Sequence, residues 1–285
     1  MSDAATLPDF NRMWDYQNPA ATEAKFVELL AAAEKSGDRS YRRQLLTQIA
    51  RTQGLQGKFD QAHATLDGIE RELKDENDPP ARVRYLLERG RVLNSSGRTA
   101  EALSPFMEAV TVGREARLSR YEIDAIHMVA IVEATPERRI EWGRKGVERA
   151  KELNEIGWLH ALYNNLGEEY RALKQYDKAL ECFRAVIESN KQAGKPVDRY
   201  ARVDEAKMLR LLGEPSQSLE NMKQLGAADD GFVSEELGEA LLAMGRADDA
   251  RPYLASAYEK LKDVVWLKKS EPDRLERLRK LAEVR

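Results

Sequence analysis

Five short segments of this chain repeat one pattern of helix end, turn and helix start: LQGKFDQA (55–62), SSGRTAEA (95–102), ALKQYDKA (172–179), LLGEPSQS (211–218) and AMGRADDA (243–250). Their turn residues, Gly57, Gly97, Lys174, Gly213 and Gly245, follow one another at spacings of 40, 77, 39 and 32 residues. The double spacing leaves room for one more unit, MVAIVEATPERRIEWGRKGVERA (128–150), in which Pro136 is expected in the turn in place of glycine. A recurrence of this kind constrains a chain more than any single motif does. One helical hairpin cannot bury its apolar face alone, so neighbours must stack and share a core along an array.

Small residues recur in register with those turns. Seven places before the turn residue stand Ala50, Gly90, Gly167, Ala206 and Gly238, with Ala130 equivalent in the third unit. Five places after it stand Ala62, Ala102, Ala179, Ser218 and Ala250, with Gly143 in the third. Two helices approach closely where neither carries a large side chain, so these positions are expected to mark the crossing within each hairpin. Leu66, Phe106, Val147, Phe183, Met222 and Leu254, nine places after the turn, are expected to fill the space around it.

The fourth unit, YNNLGEEYRALKQYDKALECFRAV, carries the pattern most fully, through Tyr163, Leu166, Gly167, Tyr170, Tyr176, Ala179 and Phe183. It resembles the tetratricopeptide repeat, and the resemblance covers roughly residues 39–262. Most units run near 40 residues and lack the proline that closes the family's repeat, which resembles the long-helix bacterial and kinesin-light-chain varieties. The resemblance implies an all-α, right-handed superhelical solenoid of about six helix-turn-helix repeats. The expected division is an N-terminal segment and capping helix (1–38), the array (39–262) and a C-terminal capping helix (263–285). Asn18 and Pro19 start the first cap, which runs to about Ser36; Leu275, Leu278 and Leu281 form one side of the last.

Composition agrees and narrows the function. Charged residues make up 33% and aromatics 7%, a balance suited to amphipathic helices with wide solvated faces. With 46 basic against 49 acidic side chains the net charge is -3, so no overall field recruits nucleic acid or an anionic membrane. No run approaches a membrane span and the first residues lack the pattern of a secretory signal, so the expected location is cytoplasmic. Glycine-rich phosphate and dinucleotide loops, a nucleophile elbow and paired metal-ligating histidines are absent from the sequence, and no cofactor or enzymatic activity is expected. Cys182, the one cysteine, falls in the apolar register of a helix and reads as a small buried side chain. The basic stretches 138–151 and 268–285 are interleaved with glutamates and short of aromatics, and read as solvated faces.

What remains is the face formed by the first helix of each hairpin, the concave face of the implied solenoid. Residues one and four places beyond the crossing should project there: Gln48 and Arg51, Glu88 and Arg91, Met128 and Ile131, Asn165 and Glu168, Asp204 and Lys207, Glu236 and Glu239. Arg84, His127, Asn164, Arg171, Tyr200 and Arg210 join them, giving a groove expected to be basic toward its N-terminal half and acidic at its C-terminal end. In the resembled family the position of Asn165 often carries an asparagine that hydrogen-bonds a bound peptide backbone; the alternative is that Asn164 and Asn165 cap or bridge neighbouring helices. The family's five-residue carboxylate clamp is not reproduced as a set. The expected function is a non-enzymatic protein-interaction scaffold that binds peptide segments or a partner helix in this groove. The alternative is a regulatory sensor whose groove binds a signalling peptide or small ligand and controls a separate effector. The expected partner is a protein or peptide, not nucleic acid or membrane, and a homo-oligomer is compatible with the sequence.

Overall fold

The computed structural model of the chain describes residues 7–196, 198–226 and 229–283. Every regular element among them is helical. The chain forms two compact units, Met1–Trp158 and Leu159–Arg285.

The first unit opens with a 3-10 turn, Phe10–Met13, and helix α1, Pro19–Ser36, followed by three hairpins. These are α2 (Arg39–Leu55) with α3 (Phe59–Leu73), α4 (Pro79–Ser95) with α5 (Thr99–Glu115), and α6 (Ser119–Val132) with α7 (Pro136–Glu152). The second unit holds α8 (Leu159–Ala172) with α9 (Tyr176–Gln192), α10 (Arg199–Leu211) with α11 (Pro215–Leu225), and α12 (Gly231–Ala243) with α13 (Ala247–Leu261). Two further helices, α14 (Val265–Ser270) and α15 (Pro272–Glu283), stand where the sequence suggests one. Successive helices from α1 to α7 and from α8 to α13 pack on one another, α14 packs on α15, and α2 also packs on α4, α10 on α12 and α15 on α13.

The turns explain the period. Gly57, Gly97, Lys174, Gly213 and Gly245 all adopt left-handed backbone, with φ between 58° and 88°. In each case the next residue's N–H reaches back five residues to close the preceding helix, as in Lys58 to Gln53 and Gln175 to Tyr170, both 2.9 Å. A side chain other than glycine is strained in this conformation, which makes Lys174 the exception. The third hairpin is built differently: Pro136 is the first residue of α7 and not part of the turn, and Thr135 caps the helix by accepting from the Arg138 N–H. Four of the six first helices start on an aspartate, Asp38, Asp78, Asp198 and Asp230, whose carboxylate accepts a backbone N–H of the first turn.

The small residues before the turns serve a more specific purpose than mutual close approach. The Phe106 ring lies on Gly90, the Phe183 ring on Gly167 and the Leu254 side chain on Gly238, each closer than 3.0 Å to where a Cβ would stand. The large residue nine places after the turn thus fills the notch left by the glycine seven places before it.

Candidate functional site

In the first unit the residues expected to project from the first helices converge on one face. Arg51 of α2 donates to the Glu88 carboxylate at 3.0 Å, Arg91 donates to the same carboxylate at 2.7 Å, and Arg91 also pairs with Asp124 of α6. Opposite charges therefore alternate across α2, α4 and α6, and each neutralises its neighbour. Together with Gln48, Arg84 and Tyr121 they line a cavity of about 150 Å³. His127 lies one turn beyond Asp124, half-buried beside the Trp158 ring at 5.6 Å, and desolvation there holds its imidazole below the usual histidine range.

The N-terminal segment is part of this face, which the sequence reading missed. Phe10 is buried against Phe26 and Tyr41, and with Ala33, Leu45 and Ile49 it makes a small apolar core. Trp14 Nε1 donates to Gln48 Oε1 at 3.1 Å, and Tyr16 stacks on Trp14 with ring centres 4.7 Å apart. The Arg51 guanidinium lies over both rings, at 5.7 and 5.6 Å. Arg84 Nη2 donates to Asn11 Oδ1 at 2.8 Å. The one sequence signal was three aromatics within seven residues of a chain otherwise poor in them, FNRMWDY.

The second unit carries a larger cavity, about 600 Å³. Asp198 caps α10 through the N–H groups of Tyr200 and Ala201, which fixes the helix start and sends Tyr200, Asp204, Lys207 and Arg210 along one side. Glu235, Glu236 and Glu239 of α12 face them, and Arg274 and Arg277 of α15 close the far wall. Tyr200, Phe232 and Trp266 form an aromatic row with successive ring centres 5.9 and 6.1 Å apart. Its ends are open, since Tyr200 is 58% and Trp266 50% exposed.

Charge pairing in this cavity overturns one expectation. The C-terminal end of the first-helix face was expected to be acidic, yet Arg210 holds Glu236 at 2.7 and 3.0 Å, Arg274 holds Glu235 at 2.7 and 2.6 Å, and Arg277 pairs with Glu239. The arginines read as the solvated back of a closing helix instead cancel the glutamates. The basic stretch on α7 is spent similarly: Arg138 and Arg139 bind Glu133 at the end of α6, and Arg149 pairs with Glu122.

Two charged groups in the cavity are left over. Asp204 and Lys207 stand one helical turn apart on α10, and neither has a hydrogen-bond or ion-pair partner among the described residues. Burial pushes the Asp204 carboxyl up to about 6, helped by nearby Glu168, and burial and the adjacent Arg171 hold the Lys207 ammonium below the usual lysine range.

The α8 residues divide. Arg171 lines the cavity and pairs with Glu168 one turn earlier. Asn164 and Asn165, half-buried on the same helix, are not among its lining residues. Cys182 is buried on α9, which pushes its thiol up to about 12. Among the described residues no helix is long and apolar enough to cross a membrane.

Comparison with known proteins accords with this architecture. Two family models, each described as tetratricopeptide repeat, match residues 160–192, the α8–α9 hairpin, and 47–117, from within α2 to the end of α5. No curated protein matches the sequence. Among solved structures, a signal transduction ATPase with numerous domains bearing a tetratricopeptide repeat sensor, from Pyrococcus horikoshii, superposes with a TM-score of 0.71 at 16% identity. That match covers 92% of this chain but only 44% of the other, so this chain spans less than half that protein's length. A tetratricopeptide repeat protein from Parabacteroides merdae superposes with a TM-score of 0.54 at 15% identity, over 94% of this chain and 98% of that one. NprR in complex with its cognate peptide NprX gives 0.51 at 13% identity, over 95% and 82%. At these identities the likeness is one of fold, and with the repeat models and the register of turns and notches it identifies the chain as a tetratricopeptide-repeat protein.

Proposed function

We propose that the protein is a non-enzymatic interaction module that binds an extended peptide segment of a partner on its first-helix face, with the cavity of the second unit as the principal site. The observation that carries this reading is the pair Asp204 and Lys207. In a wall whose other charges are matched, a carboxylate and an ammonium remain with unused hydrogen-bonding capacity, beside an aromatic row with exposed ends. A peptide offers both complements: its carbonyls or acidic side chains accept from Lys207, its N–H groups donate to Asp204, and an apolar side chain covers Tyr200 or Trp266. The arginine–glutamate pairs hold the wall in place before the segment arrives, so less ordering entropy is lost on binding. Gln48, Arg51, Arg84, Glu88, Arg91 and His127 are proposed as peptide-binding residues of the first unit taken by itself, and Asn164, Asn165, Glu168 and Arg171 of α8 as proposed binding residues of the second.

A regulatory variant of this reading makes the bound segment a signalling peptide and the output a separate effector. It is supported by fold neighbours described as a sensor and as a complex with a cognate peptide. The two variants share the site and differ in whether binding alters hydrogen exchange at helices away from it.

Panning a library of random twelve-residue peptides against the full chain tests the site. Enriched peptides should bind at micromolar Kd and lose about tenfold or more in each of Lys207→Met and Trp266→Ala. An unenriched library, or affinities indifferent to both substitutions, removes the cavity from the account.

A further inference from the structure

Arg84 is 6% exposed and, unlike the other buried and half-buried guanidinium groups of α2 and α4, has no carboxylate within ion-pairing distance among the described residues. Arg43, 2% exposed, is held by Asp78, Glu72 and Glu76, and Arg91 by Glu88 and Asp124. Arg84 instead lies between the Phe10 and Tyr121 rings, 5.1 and 4.9 Å from their centres, and its one hydrogen bond goes to the neutral side-chain carbonyl of Asn11. Its Nε is buried with no acceptor. A buried cation with a neutral partner and an idle donor is poorly matched, because a charged acceptor bonds roughly twice as strongly.

The group that supplies this imperfect match is lightly anchored. Residues 9–16 make no backbone–backbone hydrogen bond to α2, α4 or α6 among the described residues. They hold by the buried Phe10 ring, by Trp14 on Gln48, by Arg51 over the Trp14 and Tyr16 rings, by Asn11 on Arg84 and by the Asp15 backbone on the Thr22 hydroxyl of α1, with Pro8 accepting from the Tyr41 hydroxyl at 2.6 Å just before them. A short segment with few buried side chains and no ladder opens at low cost compared with the helices beneath it.

We propose that residues 9–16 are an exchangeable occupant of the α2–α4–α6 face, displaced by a partner's segment that takes up the same turn and places an aromatic ring where Phe10 stands and a carboxylate where Asn11 stands. The carboxylate completes Arg84, and the ring keeps the guanidinium stacked. This inference rests on the reading that the first-helix face binds peptides. It concerns the first unit alone, so its failure leaves the Lys207 cavity untouched, and failure of that cavity leaves this test intact.

The test uses the full chain and two labelled peptides covering residues 8–17, one native and one with Asn11→Asp. Fluorescence anisotropy should show the Asp peptide binding about tenfold or more tightly than the native one. Arg84→Gln should abolish that preference, and Phe10→Ala with Trp14→Ala in the chain should tighten both peptides by removing the competitor. Because the double substitution also thins the small core, hydrogen exchange of the unsubstituted chain gives a second reading. Residues 9–16 should exchange faster than α2, and the Asp peptide should strip their remaining protection while adding it to α4. Equal affinity of the two peptides, or residues 9–16 as protected as α2 and unchanged at saturating peptide, overturns the proposal.

Discussion

The Phe183 ring occupies the notch of Gly167, its nearest atom 2.7 Å from where a Cβ on that glycine would stand. Phe183 is fully buried and Gly167 lies inside α8, so neither ring nor backbone has free space to yield. Gly167→Ala is expected to destabilise the fold by about 1–3 kcal/mol despite alanine's better helix propensity, and Gly167→Leu by more. Urea unfolding followed by circular dichroism checks this; an unchanged midpoint for the alanine variant contradicts the packing described.

Lys174 holds the left-handed turn position that glycine holds in four other hairpins, at φ 58°. Left-handed backbone costs an L-residue about 1–2 kcal/mol, and glycine gives back part of that through its freer unfolded state. Lys174→Gly should therefore raise stability by up to about 1 kcal/mol, seen as a higher thermal midpoint, whereas Gly213→Lys should lower it.

Asp204 carries a pH signature. Its folded pKa, about 6, lies above the ordinary 3.8, so the folded chain binds its proton more tightly than the unfolded chain does. Stability from this group is therefore present below about pH 4 and is lost as pH rises through about 6. Asp204→Asn should stabilise the protein by roughly 1–3 kcal/mol at pH 8 and by nearly nothing at pH 4. Chemical denaturation of both proteins at the two pH values reads the difference, and equal gains at both contradict a half-buried, unpaired carboxylate.

Arg274 joins α15 to α12 through both oxygens of Glu235. Arg274→Met keeps an apolar stem but removes the guanidinium that lies over the Phe232 ring and leaves Glu235 with its charge unmatched. The expected loss is about 1.5–3 kcal/mol, shrinking when Glu235→Gln is added, as a double-mutant cycle would show.

Which parts of this were legible in the sequence follows from the range of each interaction. Gly57 and its counterparts, and the pairing of Gly167 with Phe183, act within one hairpin and recur, so spacing alone exposes them. Pro19 at the start of α1 and Pro272 at the start of α15 are equally local signals. By contrast, Arg274 and Glu235 are 39 residues apart and Arg84 and Asn11 are 73 apart, with nothing repeated to betray them. The charge gradient failed for this reason: the sequence shows the glutamates of α12 but not the arginines that fold over them. The N-terminal segment was hidden because it is irregular, so its role depends on where α2 and α4 place Gln48 and Arg84.

The central claim is that Lys207 and the aromatic row of the second unit receive a peptide segment. The most direct measurement is an anisotropy titration of a library-enriched peptide against the unsubstituted chain and Lys207→Met, with melting curves confirming that both are folded. A Kd at least about tenfold weaker for Lys207→Met is the result expected; equal Kd values for two folded proteins would contradict it.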